Sequence, residues 1–222
     1  MNRFQLIILF IPVVLFSLTC HEYSHGRIAH ILGDDTAKKL GRLSFNPLKH
    51  LDILGLLVFC FVGFGWAKPV PVDWRNFHNP RRDMMYVAIA GPLANLTLAV
   101  FFSFFLRVIS PYHFPALFTL LCFGVYVNVA LAIFNMLPIF PLDGASVIKG
   151  LVSQEAAARF SEMDRFGGFL LLGIILLDNF AHTRILGFIL LTPLFYSIQF
   201  LTQEAYPMLE QVIMASFSTI YR

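Results

Sequence analysis

The stretch HEYSH, residues 21 to 25, places two histidines four positions apart with a glutamate between them. On a helix that spacing turns both imidazoles to one side, where two neutral rings can share a single Zn2+ ion. In the HExxH arrangement the glutamate stays off the metal and takes a proton from the attacking water. His21 and His25 are therefore candidate ligands and Glu22 a candidate general base. The bland alternative is a pair of interfacial histidines beside a solvated glutamate. What favours chemistry is the setting, because FQLIILFIPVVLFSLTC runs directly into the motif and ionisable groups in a membrane segment are costly and usually functional. A catalytic zinc site takes three protein ligands and leaves one position open, so a further donor is needed. Asp143, in NMLPIFPLDG (135–144), is the candidate, although Asp-Gly is also an ordinary turn dipeptide. Which reading applies depends on the elements that would bring Asp143 to the histidines.

The chain has 222 residues, 58% hydrophobic and 13% charged, with 25 phenylalanines. That balance excludes an ordinary water-soluble globule and describes an integral membrane protein. Long apolar runs fit a helical bundle, since a membrane β-barrel shows two-residue alternation in segments of about ten. The runs lie at 4–20, 84–106 and 115–137, with a shorter pair at 166–180 and 184–201. The first also resembles a secretory signal, yet Ser17-Leu18-Thr19-Cys20 leads into HEYSH without a small-residue processing site, so a retained helix is expected. Cys20, Cys60 and Cys122 all fall in apolar runs and form no paired framework.

Residues 53–66, ILGLLVFCFVGFGW, rise only about 21 Å as a helix against a hydrocarbon core of about 30 Å, which points to a re-entrant element. Charge placement agrees. Arg27, Lys38, Lys39, Arg42 and Lys49 precede that segment, and Lys68, Arg75, Arg81 and Arg82 follow it. Lys149, Arg159 and Arg165 occupy a third basic loop, while Arg3, Arg107 and Arg184 stand singly. If 53–66 enters and leaves on one side, all three basic loops face the cytoplasm, as the positive-inside rule requires. The net charge of +3 thus reflects topology, and no nucleic-acid partner is expected. The resulting topology has five crossings, an outer N-terminus, a cytoplasmic C-terminus and an amphipathic tail along the inner membrane surface. It also returns Asp143 to the side of His21 and His25.

Two further stretches have open readings. In AGPLAN (90–95), Gly91 and Pro92 fit close helix packing, and Asn95 is either polar glue between helices or support for the site. WAKPVPVD (66–73), with Pro69 and Pro71, is either an edge strand or a plain connecting loop.

From HEYSH through FNPLKHLDILG (45–55), GFGWAKPVPVD (63–73), NFHNPRRDM (76–84) and AGPLAN to NMLPIFPLDG, the sequence resembles the site-2 protease family of intramembrane zinc metalloproteases. The resemblance covers roughly residues 5–150. It implies one Zn2+ held by His21, His25 and Asp143, with Glu22 as base and Asn135 near the substrate or transition state. The asparagine has the alternative of bonding across the bundle. The expected fold is an all-α polytopic membrane protein with a three-helix catalytic core, a short re-entrant or β-like segment between the first two core helices, and two C-terminal helices. It is read as a single domain over 1–222, with core 4–150 and a helical hairpin plus amphipathic tail at 151–222. The implied activity is hydrolysis of transmembrane protein substrates within the lipid bilayer, in a bacterial-type inner membrane with the site toward the cytoplasm. A membrane zinc transporter and a catalytically silent membrane chaperone are the rivals. The sequence contains no signal for oligomeric state.

Overall fold

The computed structural model describes residues 1–62, 65–180, 183 and 185–220. Helix α1, Arg3–Ile31, starts at a capping box in which Asn2 and Gln5 exchange side-chain to backbone hydrogen bonds of 2.9 Å. Its 29 residues extend about 43 Å, longer than the hydrocarbon core, so HEYSH lies inside its last third with a full turn still to follow. After the short α2 (Thr36–Lys39), helix α3 covers Ile53–Val62. Its ten residues rise about 15 Å, too little to cross. The chain then returns to its starting level: Leu51 and Ala67 form an antiparallel bridge, and the Lys68 N–H donates to the His50 carbonyl at 2.8 Å. Entry and exit are thus side by side, as a re-entrant element requires. Among the described residues that bridge is the whole β content, and WAKPVPVD is a connecting segment, because its two prolines remove the donors a ladder needs.

Helix α4, Pro80–Leu106, begins with proline in its first turn, and α5, Pro115–Asn135, does the same. Among the described residues α1, α4 and α5 are the three helices long and apolar enough to cross a membrane. Their shared core consists of Val13, Phe102, Leu106, Phe118, Leu121 and Phe123 among others, and Phe10 meets Phe123 edge-on at 5.1 Å. At the opposite end from this apolar layer, the wholly buried Asp34 ties the chain after α1 to the approach to α4. Its carboxylate accepts from the Thr36 N–H (3.0 Å), the Thr36 hydroxyl (2.5 Å), the Asn76 amide (2.7 Å) and the Asp73 N–H (2.8 Å).

Helix α6, Asp143–Leu151, runs back along α4, where Arg81 donates to the carbonyls of Gly150 and Val152 at 3.4 and 2.5 Å. Helix α7, Gln154–Phe180, packs Leu171 and Ile175 against Leu142 and the turn after α5, and Lys149 pairs with Asp164 across α6 and α7. Helix α8 covers Ile185–Thr202 and α9 covers Tyr206–Ile220.

The C-terminal region departs from two expectations. The end of α8 was expected at the cytoplasmic face, but the Arg107 guanidinium at the end of α4 donates to the Leu201 carbonyl at 2.5 Å. That contact sets α8's last turn at the end of the bundle remote from HEYSH. The tail does not lie on the inner surface either. Leu209 and Ile213 of α9 are about as buried as any side chain in the main core, and Phe217 meets Phe10 of α1 at 5.9 Å. The apolar stripe that reads as membrane-surface amphipathicity is instead covered by α1 and α5, since burial against protein and burial in lipid call for the same residues.

Candidate metal centre

Helix α1 presents His21 and His25 one turn apart, both buried, with ring centroids 4.6 Å apart. Each ring is held through Nδ1. His25 Nδ1 lies 2.7 Å from the Val87 carbonyl, and His21 Nδ1 lies 2.6 Å from Asn95 Oδ1. A carbonyl oxygen only accepts, so His25 carries its proton on Nδ1. The Asn95 amide nitrogen is already committed to Asn128 Oδ1 (2.8 Å) and the Ser17 carbonyl (3.3 Å), which leaves its oxygen facing His21 and fixes the same tautomer there. In neutral imidazoles both Nε2 atoms then present lone pairs to the same space.

The third group arrives through a tight turn. Chain 136–142 folds across the end of α5, and a Cβ at Gly144 would lie 2.3 Å from the Met136 carbonyl oxygen, so only glycine lets α6 start this close. Asp143 Oδ2 reaches 3.2 Å from His21 Nε2 and 3.3 Å from His25 Nε2, and the two Nε2 atoms are 3.0 Å apart. That oxygen is buried and lacks a hydrogen-bond partner. With both imidazoles neutral, three atoms bearing electron pairs face one another at these distances, an arrangement that suits a cation between them. The edges match a tetrahedral Zn2+ site, whose ligand atoms at about 2.0–2.1 Å from the metal are about 3.3 Å from one another. Among the described residues this is also the sole His/Cys/Asp/Glu cluster with metal-ligand spacing. Gly91 completes the cradle, since a Cβ there would come within 2.3 Å of His25 Nε2 and 2.6 Å of His21 Cε1.

Glu22 is half-buried on the adjoining helical position, with Oε2 accepting from the Val70 N–H at 2.8 Å. Of the two asparagines named from sequence, Asn95 joins the site as an orienting group for His21. Asn135, by contrast, returns its amide to the Leu131 carbonyl of its own helix at 2.9 Å. Sequence reasoning missed Asn128 and Ser17, which lock Asn95 through Asn128 Nδ2 to Ser17 Oγ at 2.9 Å. Their signal was available: Ser17 precedes His21 by one turn, and Asn128 interrupts an apolar run two turns before Asn135. The Val87 carbonyl leaves no trace in side-chain identity. Among the described residues no other histidine joins the cluster. His30 pairs with Asp35 at 2.6 Å, His50 contacts the Ser44 carbonyl and His113 the Ser110 hydroxyl, while His182 lies outside the described residues.

Comparison with known proteins adds independent findings. A model of peptidase family M50 matches residues 112–175, the stretch that contains Asn135 and Asp143. A Bacillus subtilis (strain 168) protein named "Putative zinc metalloprotease YwhC" is 40% identical over 162 residues, covering 69% of this chain and 74% of its own. The chain belongs to peptidase family M50, the site-2 protease family. Two more relatives of this M50 chain bear the same form of name. Rip2 of Mycolicibacterium smegmatis is 31% identical over 179 residues, 77% of this chain and 67% of its own. MJ0611 of Methanocaldococcus jannaschii is 32% identical over 140 residues, 62% and 72% respectively. No solved structure matches the chain.

Proposed function

We propose that this M50 protein is an intramembrane zinc endopeptidase that hydrolyses peptide bonds in or near the transmembrane segments of membrane proteins, as in regulated intramembrane proteolysis. The convergence of His21 Nε2, His25 Nε2 and Asp143 Oδ2 within 3.0–3.3 Å, one residue from Glu22, is the observation that supports it. Zinc, when held by these three, polarises the scissile carbonyl and lowers the pKa of water at its open position. The chain's own residues do the rest. Glu22 takes the proton as water adds to the carbonyl carbon and delivers it to the departing nitrogen when the C–N bond breaks. Asn95 and Val87 hold the two rings so that neither drifts during that exchange. Asn135, half-buried at the end of α5, is the nearest polar side chain in sequence before the turn that delivers Asp143, and we assign it to steadying the substrate.

Depth gives the arrangement its purpose. A peptide bond inside a membrane helix is shielded, with its carbonyl bonded along the helix and water excluded, so cleavage requires unwinding and a water route. Positive loops beside the HEYSH end favour a cytoplasmic-side site in a bacterial-type inner membrane. A zinc transporter would need polar groups continuing to the other face. Here the polar chain stops at Ser17 and Asn128, and the next layer is Phe102, Leu121 and Phe123. The deciding experiment is Glu22→Gln. Purified variant should retain one zinc per chain, and cells carrying it should accumulate membrane proteins that the native chain cuts; undiminished cleavage by the variant would overturn the proposal.

A further inference from the structure

The segment between the re-entrant element and α4 touches the candidate base itself, a contact that the metal chemistry above does not use. Val70 stands between Pro69 and Pro71, neither of which has an N–H, so its amide is the sole main-chain donor over three residues. That donor goes to Glu22 Oε2 at 2.8 Å. The approach is built in from both partners. On α1, a Cβ at Gly26 would lie 3.0 Å from Val70 Cγ1, so glycine one turn after Glu22 lets the segment lie directly on the helix, and Val70 is buried there. On the other side Arg42 donates to the carbonyls of Lys68 and Pro69 at 2.8 and 3.1 Å, while the Lys68 N–H is committed to His50.

We infer that residues 68–72 are a positioning element for Glu22, in which the Val70 N–H holds one carboxylate oxygen in place and leaves the other free for the proton transfer. This rests on the assignment of Glu22 as base. A glutamate carboxylate on three rotatable bonds otherwise samples several rotamers, and one donor at hydrogen-bond distance selects one of them. The flanking prolines stiffen the donor and prevent the segment from offering its amides elsewhere. The same commitments rule out strand addition of a substrate over 68–70 in this arrangement, because the Lys68 and Val70 amides and the Lys68 and Pro69 carbonyls are already bonded.

The test has two arms, both on the full zinc-loaded chain in detergent. In the first, hydrogen exchange is followed at Val70, the only exchangeable main-chain amide between residues 69 and 71. Glu22→Ala should accelerate it about tenfold; exchange equal to that of the native chain would overturn the inference, whatever the enzyme's activity. In the second, cleavage of fluorescein-labelled β-casein is compared between Val70→Pro and Val70→Ala, which both shorten or stiffen the side chain but differ in the donor. The proline variant should have a kcat about tenfold or more below that of the alanine variant at similar KM. Equal kcat values, or a loss confined to KM, would overturn the inference and reassign the segment to substrate binding. Full cleavage by Glu22→Gln would instead remove the base assignment while leaving the exchange result intact.

Discussion

At Gly91 one methyl group separates a metal site from a blocked one. A Cβ there would occupy space 2.3 Å from His25 Nε2, inside van der Waals contact, so Gly91→Ala should displace the ring and lower zinc occupancy by about tenfold or more, measured by chelator competition. The same clash presses on the α1–α4 contact, so folding stability should also fall by about 1–3 kcal/mol, more than the helix propensity of alanine over glycine restores. Asn95→Ala acts differently. It removes the acceptor that keeps the His21 proton on Nδ1 and also leaves Asn128 Oδ1 without its donor. Zinc affinity should fall about 10–100-fold, together with a stability loss of about 1–3 kcal/mol from the orphaned amide, read by thermal unfolding of the metal-free chain. These two variants separate space from orientation, since the first crowds the rings and the second frees one.

Between elements, the Asp34 knot sets where α1 hands over to the segment that reaches Glu22. Burial by itself raises the Asp34 carboxyl, but hydrogen bonds from Thr36, Asn76 and Asp73 to its charged form outweigh that and hold it below the ordinary 3.8. The folded-state value is the lower one, so the knot's contribution is complete above about pH 4 and is lost as pH falls through the depressed value. Thermal midpoints of the native chain should therefore decline more steeply below pH 4 than those of Asp34→Asn, which lacks this carboxylate. A parallel decline in both would place the acid sensitivity elsewhere. The prolines that begin α4 and α5, and the glycine that follows Asp143, are local signals of the same handover; the Asp34 partners, 39 and 42 residues away, are not.

Across the whole molecule, the C-terminal helices close the bundle at the end remote from the metal. Leu209 is 1% exposed and Ile213 2% exposed within the core that α1 and α5 share, so Leu209→Ala should cost about 2–5 kcal/mol and lower the detergent melting temperature without changing zinc content. The Arg107–Leu201 contact makes a topological prediction as well. Single cysteines at Leu40 and Gln203 should react with impermeant reagent from opposite faces of the membrane, whereas labelling of both from one face would contradict the placement of α8.

The HExxH motif, the apolar runs and the basic loops, together with the family resemblance, pointed to the three core helices and the re-entrant element and put forward His21, Glu22, His25 and Asp143 as the site. These rest on local periodicity and on the energetic cost of moving charge through lipid, both of which can be read along the local sequence. The tertiary structure decided what depends on approach between distant segments. It decided that Asn95 serves a histidine, that Asn128 and Ser17 lock it, that the Val70 amide meets Glu22, and that the tail's apolar stripe faces protein. Hydrophobic patterning specifies that a face must be buried but leaves its partner unspecified, and a backbone carbonyl or amide has the same chemistry at every position until the fold aims it.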